Sequence, residues 1–108
     1  MMNIILSPQR RDDELIWVKK GDTLSLNGQV ADFSQVGEGD TLPYGAIRSD
    51  FFPGDVSRID GVLTITIIIA IPDNYSQEQA FPLPLVDVPD GLLDLPKPLP
   101  VQLSEVIV

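Results

Sequence analysis

The sequence predicts a mainly β domain, an antiparallel meander of about five or six strands curled into a small sandwich or open barrel, with an extended proline-rich carboxyl-terminal tail. Three observations lead there. The run Gly61-Val-Leu-Thr-Ile-Thr-Ile-Ile-Ile-Ala-Ile-Pro72 holds five isoleucines and two threonines between a turn-forming Asp60-Gly61 and a closing proline. The dipeptides Asn27-Gly28 and Asp60-Gly61 belong to the small set that accepts the backbone of a tight hairpin. Six prolines between Pro82 and Pro100 then exclude regular helix or central strand and favour extended segments. The expected division is a β domain over 1–81 and a tail over 82–108.

In chain order, Met2-Asn-Ile-Ile-Leu6 reads as an amino-terminal strand that Ser7-Pro8 ends, and Gln9–Glu14 as a charged loop. Leu15–Lys20 and Thr23–Leu26 read as strands joined at Gly21-Asp22. A type I′ turn at Asn27-Gly28 sets Leu26 opposite Gln29 and Leu24 opposite Ala31, so Leu24, Leu26, Ala31 and Phe33 share a core face. From Ser34 to Pro53 periodicity is lost, and Leu42, Tyr44, Ile47, Phe51 and Phe52 stand among glycines and prolines, which predicts an irregular, packed excursion. The tetrad Gly21-Asp-Thr-Leu24 recurs as Gly39-Asp-Thr-Leu42, but the flanks do not match, so it is read as coincidence.

Asp55–Ile59 leads through Asp60-Gly61 into the isoleucine strand as a second hairpin. A two-residue loop pairs Arg58 with Leu63, and a three-residue loop puts Ser57 there instead. Leu63, Ile65, Ile67, Ile69 and Ile71 fall on one face at period two, with Thr64 and Thr66 opposite and Ile68 and Ala70 apolar on the second face near the end. Tyr75–Ala80 has room for one helical turn. The tail carries Leu83, Leu85, Val86, Val88, Leu92, Leu93, Leu95 and Leu99, too apolar for a solvated linker. It therefore lies along its own domain or along a neighbour. The second placement is favoured because Val101–Val108 regains strand composition.

At 108 residues one domain is expected. There is no cysteine and no histidine, which removes disulfides, thiolate metal sites, the usual general base and the commonest metal ligand. The net charge of −9 repels phosphate backbones and anionic membrane surfaces, so neither nucleic acid nor membrane is an expected partner. Met1–Leu6 is too short for a signal-peptide core, and Ile67–Ile71 too short to span a bilayer, so a soluble, intracellularly made protein is expected.

Asp12, Asp13 and Glu14, or Asp50, Asp55 and Asp60, could bind a hard cation. Neither set has the ligand alternation of a calcium loop, and arginines stand beside both. No spacing brings two acids to one cleft for glycosidase-type chemistry, and Gly37-Glu-Gly39 lacks the helix and lysine of a phosphate loop. The reading is a non-catalytic protein with no cofactor and no metal. Trp17, between Ile16 and Val18, is read as core over an exposed anchor. Tyr44, Phe51 and Phe52 serve either as a plug over a sheet or as a partner-binding patch. Candidate partner-binding residues are Tyr44, Phe51 and Phe52, with Val101, Leu103, Val106 and Val108 at the carboxyl end.

Met2-Asn-Ile-Ile-Leu-Ser-Pro8, Thr41-Leu-Pro43 with Ala46-Ile47, Gly54-Asp-Val-Ser-Arg58 with Asp60-Gly61 and Leu63, and Phe81-Pro-Leu-Pro84 together resemble small proteins encoded among the tail genes of tailed bacteriophages and prophages. The likeness runs from about residue 2 to residue 84. It implies a tail or tail-assembly role through docking to other phage tail proteins, with a homo-oligomer also allowed. It implies residence in the bacterial host cytoplasm during assembly or in the virion tail, and it supplies no catalytic residue. The alternative is a carbohydrate- or host-surface-binding module of a phage tail, in which exposed Trp17, Tyr44 and Phe52 would stack on sugars.

Overall fold

A computed structural model describes residues 1–47 and 49–99. The chain is mainly β. Among the described residues its strands are β1 (Met2–Arg10), β2 (Trp17–Lys20), β3 (Thr23–Leu26), β4 (Gln29–Asp32), β5 (Thr41–Leu42), β6 (Val56–Ile59), β7 (Val62–Ile71) and β8 (Gly91–Leu92), with a 3-10 turn over Tyr44–Ala46 and one short α-helix, α1 (Gln77–Ala80). They form two four-stranded sheets, ordered β1-β7-β6-β5 and β4-β3-β2-β8. Buried residues of both sheets join in one core that includes Ile4, Trp17, Leu24, Leu63, Ile65 and Ile67.

The isoleucine strand is the centre of the first sheet. Leu63, Ile65 and Ile67 are fully buried, Ile69 and Ile71 nearly so, and Thr64 and Thr66 on the other face are half-buried. β-Branched side chains hold this extended backbone with little rotamer freedom to lose. The hairpin into it uses the two-residue loop: Arg58 pairs with Leu63 and Ile59 with Val62. Asp60 and Gly61 have φ of 54° and 76°, the left-handed values a type I′ turn requires. The β3–β4 hairpin is built the same way, with Asn27 and Gly28 at φ of 50° and 89° and Leu24 opposite Ala31.

Two features depart from a simple meander. β1 runs parallel to β7, from Met2 beside Leu63 to Arg10 beside Ile71, so β2, β3 and β4 of the second sheet and the irregular excursion lie in the crossover between them, while β8 follows β7. β1 also continues past Ser7-Pro8 to Arg10. It is an edge strand, where a residue without an amide donor is tolerated.

The excursion over 34–53 has a structural task. β6 leaves β7 after the Ser57–Thr64 pair, which exposes the far edge of β7 beyond that point. There the amide of Ile68 donates to the Phe51 carbonyl at 3.0 Å, and the Ile68 carbonyl accepts from the Trp17 indole N–H at 2.9 Å. Buried backbone groups are thus paired without another strand. Phe52 packs edge-on against Trp17 and Phe33, with ring centroids 5.4 and 5.3 Å apart, and plugs the space between sheets.

The repeated tetrads share two local features. Gly21 and Gly39 both have positive φ, and Thr23 and Thr41 each begin a strand. Arg58 connects them: its side chain donates to Asp22 at 3.0 Å and to the Val36 carbonyl, while its backbone exchanges bonds with Gly39 and Asp40. The likeness ends there: Gly21-Asp22 forms the turn between β2 and β3, whereas Gly39 closes a turn with Glu38 ahead of β5, and one tetrad feeds each sheet.

Candidate functional surface

The proline-rich segment is laid along its own domain as far as Leu99, the last described residue. Leu85 and Ile4 exchange both backbone hydrogen bonds at 2.8 Å, the Val88 amide donates to Met2 at 2.9 Å, and the Leu93 amide to Trp17 at 3.1 Å. Gly91 and Leu92 pair with Lys19 and Val18 as an edge strand of the second sheet. Val88 and Leu93 are core residues. The expected division at residue 81 is therefore not a boundary in packing, and for this stretch burial comes from the same chain rather than from a neighbour. Prolines at 84 and 89 flank the bonded positions, so amides remain where edges need them.

A buried amine helps to hold the segment. Lys19, 8% exposed, places its Nζ 2.7 Å from Asp90 Oδ1, which also accepts from the Gly21 amide at 3.1 Å. These bonds, the lysine first, hold the Asp90 carboxyl below the usual carboxylate range. Further on, Ser76 caps α1 in a reciprocal capping box with Gln79, and its hydroxyl donates to the Lys97 carbonyl at 2.6 Å. Asn74 and Leu99 are joined by two bonds of 3.0 Å.

Anchored in this way, the segment leaves large apolar side chains outside. Phe81, Leu83, Val86 and Leu92 are 77%, 83%, 71% and 72% exposed. They border two adjoining grooves. The first, about 330 Å³, is lined by Phe81, Leu83, Leu85, Leu95, Glu78 and Asp94. The second, about 240 Å³, is lined by Val86, Val88, Leu92, Leu93, and again Leu85 and Asp94. Scattered exposed hydrophobics need no explanation, but a contiguous set on a fixed backbone marks an interaction surface.

The residues singled out from sequence are not brought together. Tyr44 is exposed, and its amide is held by Asp55 Oδ1 at 2.6 Å. Phe51 is half-buried beneath the Arg11 guanidinium, 5.1 Å from its ring centroid. Phe52, at 4% exposure, is a core residue and not a contact for a partner, because the uncovered edge of β7 draws it inward. Trp17, at 1%, is core as well. Of the three rings required for sugar stacking only Tyr44 faces solvent. Val101, Leu103, Val106 and Val108 lie outside the described residues. The signal for the surface that does form was the apolar content of 82–99; without periodicity, nothing in the sequence separated its buried from its exposed side chains.

The acidic sets are structural or solvated. Arg10 bonds Asp12 and Asp73 at 2.7 and 2.6 Å, and Arg11 bonds Asp13 at 2.7 Å. Among the described residues no three His, Cys, Asp or Glu stand close enough to hold a metal ion. The fold and surface define a small two-sheet β protein with an externally displayed apolar strip. No family model, curated protein or solved structure matches the chain.

Proposed function

We propose that this protein is a non-catalytic phage tail or tail-assembly protein that acts by docking to other tail proteins, in the host cytoplasm during assembly or in the finished tail. The carrying observation is the strip of Phe81, Leu83, Val86 and Leu92, each more than two-thirds exposed on a backbone tied into the domain. Displayed apolar area of this kind is stabilised by a protein surface that covers it. The resemblance of residues 2–84 to products of phage tail genes supplies the biological context for that surface.

Co-expression with the proteins of a tail gene cluster tests the reading. A tagged chain is expected to co-sediment with a tail subunit or an assembly intermediate, and mass spectrometry of purified particles then separates a resident component from a chaperone. A chain that never co-sediments with a tail protein, and whose deletion leaves complete infective tails, overturns it.

A further inference from the structure

We infer that the two grooves meeting at Leu85 and Asp94 take a basic amphipathic segment of the partner protein, its apolar side chains entering the grooves and a lysine or arginine between them pairing with Asp94. This rests on the docking reading above and specifies the partner's chemistry. The apolar walls come from Leu83 and Val86, one in each groove, over the shared floor of Leu85. Because Leu85, Val88 and Leu93 are tied by backbone bonds to Ile4, Met2 and Trp17, the surface loses little further freedom when covered.

Charge selects among the occupants. Asp94 lines both grooves and Glu78 the first, and among the described residues neither has an ion-pair partner. Asp90, close by in the chain, is already engaged by Lys19, and Lys97 lines neither groove but the adjoining cleft beyond Leu92, Leu93 and Leu95, where Glu14 stands as well. The groove rim is thus acidic, and a cationic segment complements it. A second copy brings the same acidic rim and a net charge of −9. The chain's own residues 100–108 include Glu105 and no base, so they offer no complement either.

The test uses the full-length chain and two synthetic amphipathic peptides of identical leucine pattern, one with lysine and one with glutamate on the polar face, followed by fluorescence anisotropy at physiological ionic strength. The lysine peptide is expected to bind saturably and the glutamate peptide not. Leu83→Asp and Asp94→Lys, each confirmed folded by a urea melt, are expected to weaken binding by roughly tenfold or more. Asp50→Lys, an exposed acid outside the segment, should change it by less than about twofold. Equal loss in Asp50→Lys, or unchanged binding in Leu83→Asp, shows mere attraction to an acidic protein and overturns the inference. So does binding seen only after residues 100–108 are removed, or a concentration-dependent dimer that Leu83→Asp abolishes. Co-sedimentation with a tail protein that survives both substitutions overturns this surface while leaving the docking function standing.

Discussion

The indole N–H of Trp17 donates to the carbonyl of Ile68 at 2.9 Å, which joins the second sheet to the central strand of the first at a point where no strand is available to pair. Trp17→Phe keeps most of the apolar bulk but leaves that buried carbonyl without a donor. The expected loss is about 1–3 kcal/mol in a urea melt. An unchanged midpoint would show that the bond contributes nothing to holding the sheets together.

Ile67 is fully buried at the middle of β7, flanked by β1 on one side and by the excursion on the other. Ile67→Ala should cost about 2–5 kcal/mol, from lost transfer energy and the cavity left behind. A loss below about 0.5 kcal/mol would place the strand outside the core and contradict the architecture.

Glu38 closes the β6–β7 hairpin from outside, its two carboxylate oxygens accepting from the amides of Asp60 and Gly61 at 2.7 and 2.6 Å. Glu38→Ala should lower stability by about 1–2 kcal/mol at this exposed turn. Gly61→Val should cost more than the same change at Gly45, because Gly61 has a φ of 76° and Gly45 none in the left-handed region. Thermal melts of the three variants, compared pairwise, check both statements.

The Lys19–Asp90 bond gives the proline-rich segment a pH dependence of defined sign. Asp90 is held below the ordinary carboxylate range in the folded protein, so its contribution is fully present above the unfolded value of about 3.9 and is lost as pH falls through the lower folded value. Carboxyl chemical shifts should therefore place the Asp90 midpoint below about 3.9, and Lys19→Met should move it upward. A midpoint that does not respond to Lys19→Met rules out the pairing as the cause.

Leu93 and Val88 anchor that segment in the core at 5% and 8% exposure. Leu93→Ala is expected to destabilise the whole domain by about 2–4 kcal/mol in a single transition. A normal melt accompanied by local loss of amide protection only would make the segment an appendage.

Much of the fold was legible in the chain because it rests on local chemistry. Asn27-Gly28 dictated its turn and the register of the β3–β4 hairpin, since both residues tolerate left-handed backbone. The alternation from Leu63 to Ile71 dictated a strand with one buried face, because side chains in extended backbone repeat every two residues. Tertiary structure alone decided that β1 lies parallel to β7, which no local signal encodes, and that the Asp60-Gly61 hairpin takes the shorter loop. It drew Phe52 inward while leaving Tyr44 outside, because the uncovered edge of β7 lies beside one and not the other. It also divided the apolar side chains of 82–99 between core and solvent. An irregular segment has no period to sort its faces, so only the sheet edges of β1 and β2 determined which residues it buried and which it displays.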